Sequence, residues 1–220
     1  MGDKKNDEEN ISDINFYLNT TRDPKLGNYL VPDYVGGKVA IDLGSNLCLF
    51  EEKYHDRFDE IYFFEASYKN YTRGTLNLMN KSIKNCVGFN LAASGKSGKI
   101  VKIFSSKSGD SGSGSIVKVD SNNLKDYHNI LTISFKDILK LINKEFINYL
   151  KVDIEGAEYE LLKNADLSKV EFIAIEIHNM LGEEKIQKIK DKLLKTHKVV
   201  KSISAIPNAR NEESCYQLIK

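Results

Sequence analysis

The sequence predicts an α/β protein, a three-layer α/β/α sandwich built around a mostly parallel sheet. Three observations carry that prediction. Residues 39–48, VAIDLGSNLC, read as a buried strand, a tight turn and a helix start. Val39, Ala40, Ile41 and Leu43 form the apolar run of a central parallel strand, and Gly44 permits a sharp turn. Strand and helix patterns then alternate from residue 147 to residue 197, as parallel βαβ units require. Finally, the two last apolar runs are joined by the polar segment PNARNEES, short enough for an antiparallel hairpin that closes the sheet.

A chain of 220 residues suits one domain. Residues 38–220 are expected to form it, with residues 1–37 as an N-terminal arm able to cover a ligand cleft. The apolar fraction of 41% is enough for a substantial core. A net charge of +1 gives no global electrostatic case for nucleic acid or an anionic membrane. Cys48, Cys86 and Cys215 are far apart and lack metal-ligand spacing, which points to reduced thiols. The opening MGDKKNDEEN has no apolar secretory core and no Ser or Thr to complete a myristoylation signal. No apolar run approaches the roughly 18 residues of a membrane span. These features lead us to expect a soluble, cytoplasmic protein.

In order along the chain, residues 46–58 read as the first helix, with Ser45 or Asn46 as its cap. Residues 59–66, DEIYFFEA, read as strand two, ending at Glu65. Residues 68–81 read as a helix weakened by Gly74, and residues 86–93 as strand three. Residues 99–105 and 115–119 alternate well enough to be strands flanking a Ser/Gly-rich tip, which together make a hairpin. Residues 130–135 read as a further short strand and 136–143 as an amphipathic helix. Residues 147–154 and 170–178 read as strands separated by a helix at 156–165. Residues 182–197 form a helix whose lysines occupy a solvated face, and residues 199–206 and 215–219 close the sheet.

Two constellations could carry chemistry. In the first, Asp42 ends strand one before Gly44, and Glu65 ends strand two about 20 residues further on, where an acidic group can accept hydrogen bonds from ribose hydroxyls. A nicotinamide or flavin oxidoreductase would need a second and third glycine after Gly44, and Asp42 would repel phosphate. A ligand joining a ribose to a cationic amino acid, such as S-adenosylmethionine, suits these residues better. In the second, KVDIEGAE at 151–158, Lys151, Asp153 and Glu155 alternate onto one side of a strand end. Glu176 and His178 repeat the spacing on the next strand, and charges so placed need partners or work to do. A Lys–carboxylate network with helix capping is the bland account of the same residues. His178 alone among the histidines ends a core strand; His55, His128 and His197 read as surface. Cys48 reads as a small core thiol rather than a nucleophile.

Together these motifs resemble the FkbM-type S-adenosylmethionine-dependent methyltransferases, a branch of the class I, seven-stranded, Rossmann-like fold. The resemblance covers about residues 38–200 and rests on VAIDLGSN, YFFEAS, NLAAS, the tip GDSGSGS, and above all LKVDIEGAEYELLKNA followed by IAIEIH. Two positions depart from the family's pattern: Cys48 replaces the last glycine of its Asp-x-Gly-x-Asn-x-Gly turn, and Ala66 stands where proline is usual. ISFKD at 133–137 represents its T-L-D-like segment.

The resemblance implies a sheet in the order 3-2-1-4-5-7-6, strand seven antiparallel, with residues 99–135 inserted over the cleft. It implies S-adenosyl-L-methionine as cofactor. Asp42, Gly44 and the turn residues Ser45 and Asn46 would hold its methionine end. Glu65, with Ala66, would bind the ribose, and Asn90, Leu91 and Ala92 would flank adenine. Asp153 and Glu155 would lie near the transferred methyl and the acceptor. The expected activity is O-methylation of a saccharide or other small molecule, without nucleic acid or membrane. A methyltransferase-like binding module without catalysis is the alternative.

Two devices can activate a hydroxyl. A general base contributes about 10²–10⁴-fold; Mg²⁺ held by Asp153 with Glu155 or Glu176 would instead lower the hydroxyl pKa. Because Lys151 can neutralise one carboxylate, the expectation is metal-free catalysis with Asp153 positioning and His178 or Glu155 as base.

Overall fold

The computed structural model describes residues 31–106, 124–203 and 211–219. The chain runs β1 (Gly37–Leu43), α1 (Leu49–Tyr54), β2 (Phe58–Phe64), α2 (Tyr68–Asn80), β3 (Cys86–Phe89), β4 (Ala92–Ala93), β5 (Ile100–Ser106) and β6 (Leu124–Ile133). It continues through α3 (Phe135–Ile142), β7 (Ile147–Val152), α4 (Glu158–Leu162), β8 (Val170–His178), α5 (Glu183–Leu194), β9 (His197–Ile203) and β10 (Asn211–Leu218).

Seven strands form the middle layer in the order β3-β2-β1-β7-β8-β10-β9. Numbered within this sheet alone, they run 3-2-1-4-5-7-6, the Rossmann-like α/β order expected. The pairs β1–β2, β1–β7, β2–β3 and β7–β8 are parallel, and β10 is antiparallel to both of its neighbours.

Side-chain alternation sends Val39, Ile41 and Leu43 of β1 to one face, where they meet α3, α4 and α5 through Ile138, Leu161, Ile189 and Leu193. Ala40 faces the other way, into a cluster with Phe50 of α1, Phe58 and Tyr149. Phe50 stacks on Tyr149 with ring centroids 5.6 Å apart, and truncating so buried an aromatic costs about 3–5 kcal/mol. Val31 and Val35 join this second cluster; residues 1–30 of the expected arm lie outside the described residues.

Three sequence expectations change. Expected strand three divides: residues 86–89 stay in the main sheet, while Ala92 and Ala93 pair with β6 in a small sheet of order β4-β6-β5. The division falls at Asn90, whose amide turns to donate to the carbonyls of Glu65 (2.7 Å) and Ala66 (3.3 Å). The hairpin pairs β5 with residues 124–133; the strand expected at 115–119 and the Ser/Gly-rich tip lie outside the described residues. Neither Ser45 nor Asn46 caps α1, because Asn46 and Cys48 both adopt left-handed conformations (φ 51° and 61°) and Cys48 takes the cap position without a side-chain bond. Ser67 and Ser134 do cap α2 and α3.

Candidate functional site

The carboxyl ends of β1, β2 and β7 meet at the point where the strand order reverses, the usual ligand position in open α/β sheets. The β1 turn is held tightly to β7. The Asp153 N–H donates to the Leu43 carbonyl at 2.9 Å. A β-carbon on residue 44, whose φ is +87°, would overlap the Asp153 carbonyl oxygen. Glycine is therefore required there by the crossing of two chain segments, besides any approach of a ligand.

Asp42 does not reach the cleft. It is fully buried, and the Lys151 ammonium donates to its Oδ1 at 2.8 Å and to the Gly44 carbonyl at 3.0 Å. The expectation that Asp42 holds the methionine end of a cofactor is thus corrected: it anchors Lys151 beneath the turn.

Glu51, on α1, is also fully buried against this pair. Burial first, and the Asp42 charge second, push its carboxyl well above the usual range. Protonated, it can donate to Asp42 and so satisfy Asp42 Oδ2 and one of the two Glu51 oxygens, which otherwise lack partners among the described residues. Sequence reading missed Glu51. The available signal was its place among Leu47, Phe50 and Tyr54 at the i, i+3, i+4, i+7 spacing of a buried face.

Glu65 stands at the mouth of the cleft in a cradle of backbone donors. Its Oε2 accepts the Asn46 N–H at 2.8 Å and its Oε1 the Ser67 N–H at 2.6 Å. Burial raises its pKa, and these two hydrogen bonds act against the rise. Each oxygen keeps lone-pair capacity for a further donor. Beside it, Asn46 Oδ1 is buried without a hydrogen-bond partner, in a cleft with about 550 Å³ of space, part of it open solvent.

Gly44, Asn46, Glu65, Ala66, Leu91, Ala92, Asp153 and Glu155 all line this cleft, together with Asn70 and with Ile103 of the hairpin. The hairpin is fastened to its edge by His128, whose Nε2 meets the Ala66 carbonyl at 2.9 Å; the sequence read His128 as surface and carried no signal of this contact. Ser45 is buried behind the turn, and Asn90 braces the 65–66 loop as described above. Cys48 is buried, and burial followed by the Glu51 charge pushes its thiol far up, so it is inert as expected.

The residues of the second constellation converge, but not by strand alternation alone, because β7 ends at Val152 and Glu155 is left-handed with φ 51°. Glu158, buried on α4, accepts from His178 Nδ1 at 2.8 Å and from the Gly156 N–H at 3.0 Å. His178 Nε2 lies 3.2 Å from Glu155 Oε2 and 3.9 Å from Glu176 Oε1. Burial opposes charge on this imidazole, but the hydrogen bonds and charges of Glu155 and Glu158 outweigh it and raise the pKa to about 10. With a carboxylate on each ring nitrogen, the geometry favours the protonated imidazole and places Glu155, rather than His178, towards the cleft. Lys151 reaches Asp153 at 3.7 Å, and Glu213 of β10 lies opposite Glu176.

Residues 35–202 match the model of the methyltransferase FkbM domain. The chain belongs to the FkbM methyltransferase family. Its fold is shared by an FkbM methyltransferase from Methylobacillus flagellatus KT (14% identity, TM-score 0.57), over 88% of this chain and 46% of that one. It is shared too by M. capricolum TrmK in complex with S-adenosylhomocysteine (8%, TM-score 0.52), over 85% and 65%. An rRNA methylase from Streptococcus thermophilus (8%, TM-score 0.51) matches over 84% and 90%. This chain thus spans about half of the FkbM neighbour's length. No curated protein matches it. Among the described residues, no helix is long and apolar enough to cross a membrane.

Proposed function

We propose that this FkbM-family chain is an S-adenosylmethionine-dependent O-methyltransferase acting on a hydroxyl of a saccharide or other small molecule. The observation that carries the cofactor assignment is the Glu65–Asn46 pair. A buried carboxylate with spare acceptor capacity and an orphaned amide oxygen both call for donors, and ribose hydroxyls and an ammonium are donors. When bound, S-adenosylmethionine supplies an electrophilic methyl group.

The chain's own residues then have separable tasks. Glu65 holds the ribose, and Asn46 completes the polar wall beside it. Leu91, Ala92 and Ile103 supply apolar surface. Glu155, on the cleft and backed by His178, takes the acceptor proton, with Asp153 orienting the hydroxyl. The carboxylates of Asp153, Glu155 and Glu176 make this end of the cleft negative. That favours a neutral or cationic acceptor over polyanionic RNA, which needs Lys and Arg along its path.

Titration calorimetry tests the reading. S-adenosylmethionine should bind and NAD should not. Glu65→Ala should weaken binding by about 1.5–3 kcal/mol, the worth of hydrogen bonds to a charged group. Unchanged affinity in that variant refutes the site. Transfer of labelled methyl to a panel of glycans, lipids and RNA then separates an enzyme from a binding module and fixes the acceptor.

A further inference from the structure

Four carboxylates surround one imidazole at the end of β7 and β8. Asp153, Glu155 and Glu176 are partly exposed, whereas Glu158 and His178 are buried. Lys151 touches Asp153, but its closer partner is Asp42.

The geometry points to a divalent-cation site formed by Asp153, Glu176 and His178, with Glu158 as the residue that orients the histidine. One ligand atom from each of the three lies within 4.8 Å of the others. Atoms bound at about 2.1 Å to one ion lie about 3 Å apart when adjacent and about 4 Å apart when opposite. The 3.9 Å between His178 Nε2 and Glu176 Oε1 fits that frame.

Glu158 is the second observation. It is wholly buried, and one of its oxygens receives Nδ1 of His178. This leaves Nε2 facing the carboxylates. Metal-ligating histidines are regularly held by a carboxylate on the opposite nitrogen. Two ligands lie on one face of β8 and the third follows β7, so the set stands on adjacent, hydrogen-bonded strands. A ligating imidazole must be neutral, so any proton on Nε2 leaves when the ion binds.

A mixed imidazole–carboxylate set suits a Mn²⁺-type ion better than Mg²⁺, which prefers oxygen ligands alone. An ion there would polarise an acceptor hydroxyl and lower its pKa. That consequence rests on the O-methyltransferase reading, but the binding of the ion does not.

The test uses the full chain, stripped with EDTA and titrated with MnCl₂, with free Mn²⁺ followed by electron paramagnetic resonance. We expect one ion per chain. Glu176→Gln removes a partly exposed ligand and should weaken binding about tenfold or more. Glu158→Gln leaves every ligand in place and should weaken it about 10- to 100-fold. Circular dichroism confirms that each variant is folded. Absence of saturable binding at millimolar Mn²⁺, or unchanged affinity in a folded Glu176→Gln variant, overturns the proposal. Calorimetry with S-adenosylmethionine on the same samples keeps the two readings apart. Cofactor binding without Mn²⁺ binding removes the metal site alone; Mn²⁺ binding without cofactor binding leaves the metal site and removes the methyltransferase reading.

Discussion

The sulfur of Cys48 stands 2.5 Å from where a β-carbon on residue 74 would be. Cys48 and Gly74 are therefore a matched pair, in which bulk in the β1–α1 turn is accommodated by its absence on α2. Gly74→Ala should destabilise the protein by about 1–3 kcal/mol through overpacking, although alanine favours a helix by about 1 kcal/mol. Cys48→Gly relieves a left-handed conformation. In its background, Gly74→Ala should recover most of the loss. A double-mutant cycle by urea unfolding reads the coupling; two additive effects would refute the pairing.

Lys151 is the counter-charge to a fully buried Asp42. Lys151→Met leaves that carboxylate without it, and removing one partner of a buried pair costs about 3–5 kcal/mol. Asp42→Asn in the same background should restore part of the stability. A loss below about 1 kcal/mol in the single variant would contradict this placement.

Glu51 gives a pH-dependent term of definite sign. It faces Asp42 of β1, with Lys151 of β7 and Cys86 of β3 near enough to interact. Its folded pKa lies well above the ordinary value of 4.5. Its contribution is complete below that unfolded value and is lost as pH rises toward the folded one, because the unfolded chain ionises first. Wild-type stability should therefore fall relative to Glu51→Gln as pH rises above 4.5, by at most about 1.4 kcal/mol per unit. Parallel pH profiles in urea would contradict a buried, protonated Glu51.

Asn46 separates stability from binding. Its φ of 51° suits glycine, and its Oδ1 has no partner among the described residues. Asn46→Gly should hold or raise the melting temperature while weakening S-adenosylmethionine by about 0.5–1.5 kcal/mol. A folded variant with undiminished affinity would remove Asn46 from the cofactor site.

The sheet was legible because β1, β7 and β8 are apolar runs with charged residues at their ends, and only a few topologies accept that order of elements. Glu65, Asp153 and Glu155 were legible as strand-end carboxylates. The fates of Asp42 and His178 were not. Each reads as a strand-end group with chemistry to perform, and each is enclosed by a partner, Lys151 or Glu158, whose proximity depends on register across the sheet. The break at Asn90 was hidden for a similar reason. NLAAS continues a strand pattern, and the amide that bends the chain is held by the loop after β2, some 25 residues earlier.

The position of β10 between β8 and β9 governs how the molecule is made. β9 leaves the ribosome before β10, yet among the described residues its only strand partner in the sheet is β10. Until residues 211–218 emerge, β8 presents an open edge backed by Ile173, Ile175 and Ile177, and α5 rests beside a strand with nothing to pair with. A bare apolar edge of this kind is the part of a nascent chain most exposed to intermolecular pairing and to chaperones. The β9–β10 hairpin can form by itself within about 1–10 μs. Docking it against β8 then closes this side of the sheet, so synthesis shapes the strands from β1 to β8 before the strand that covers them.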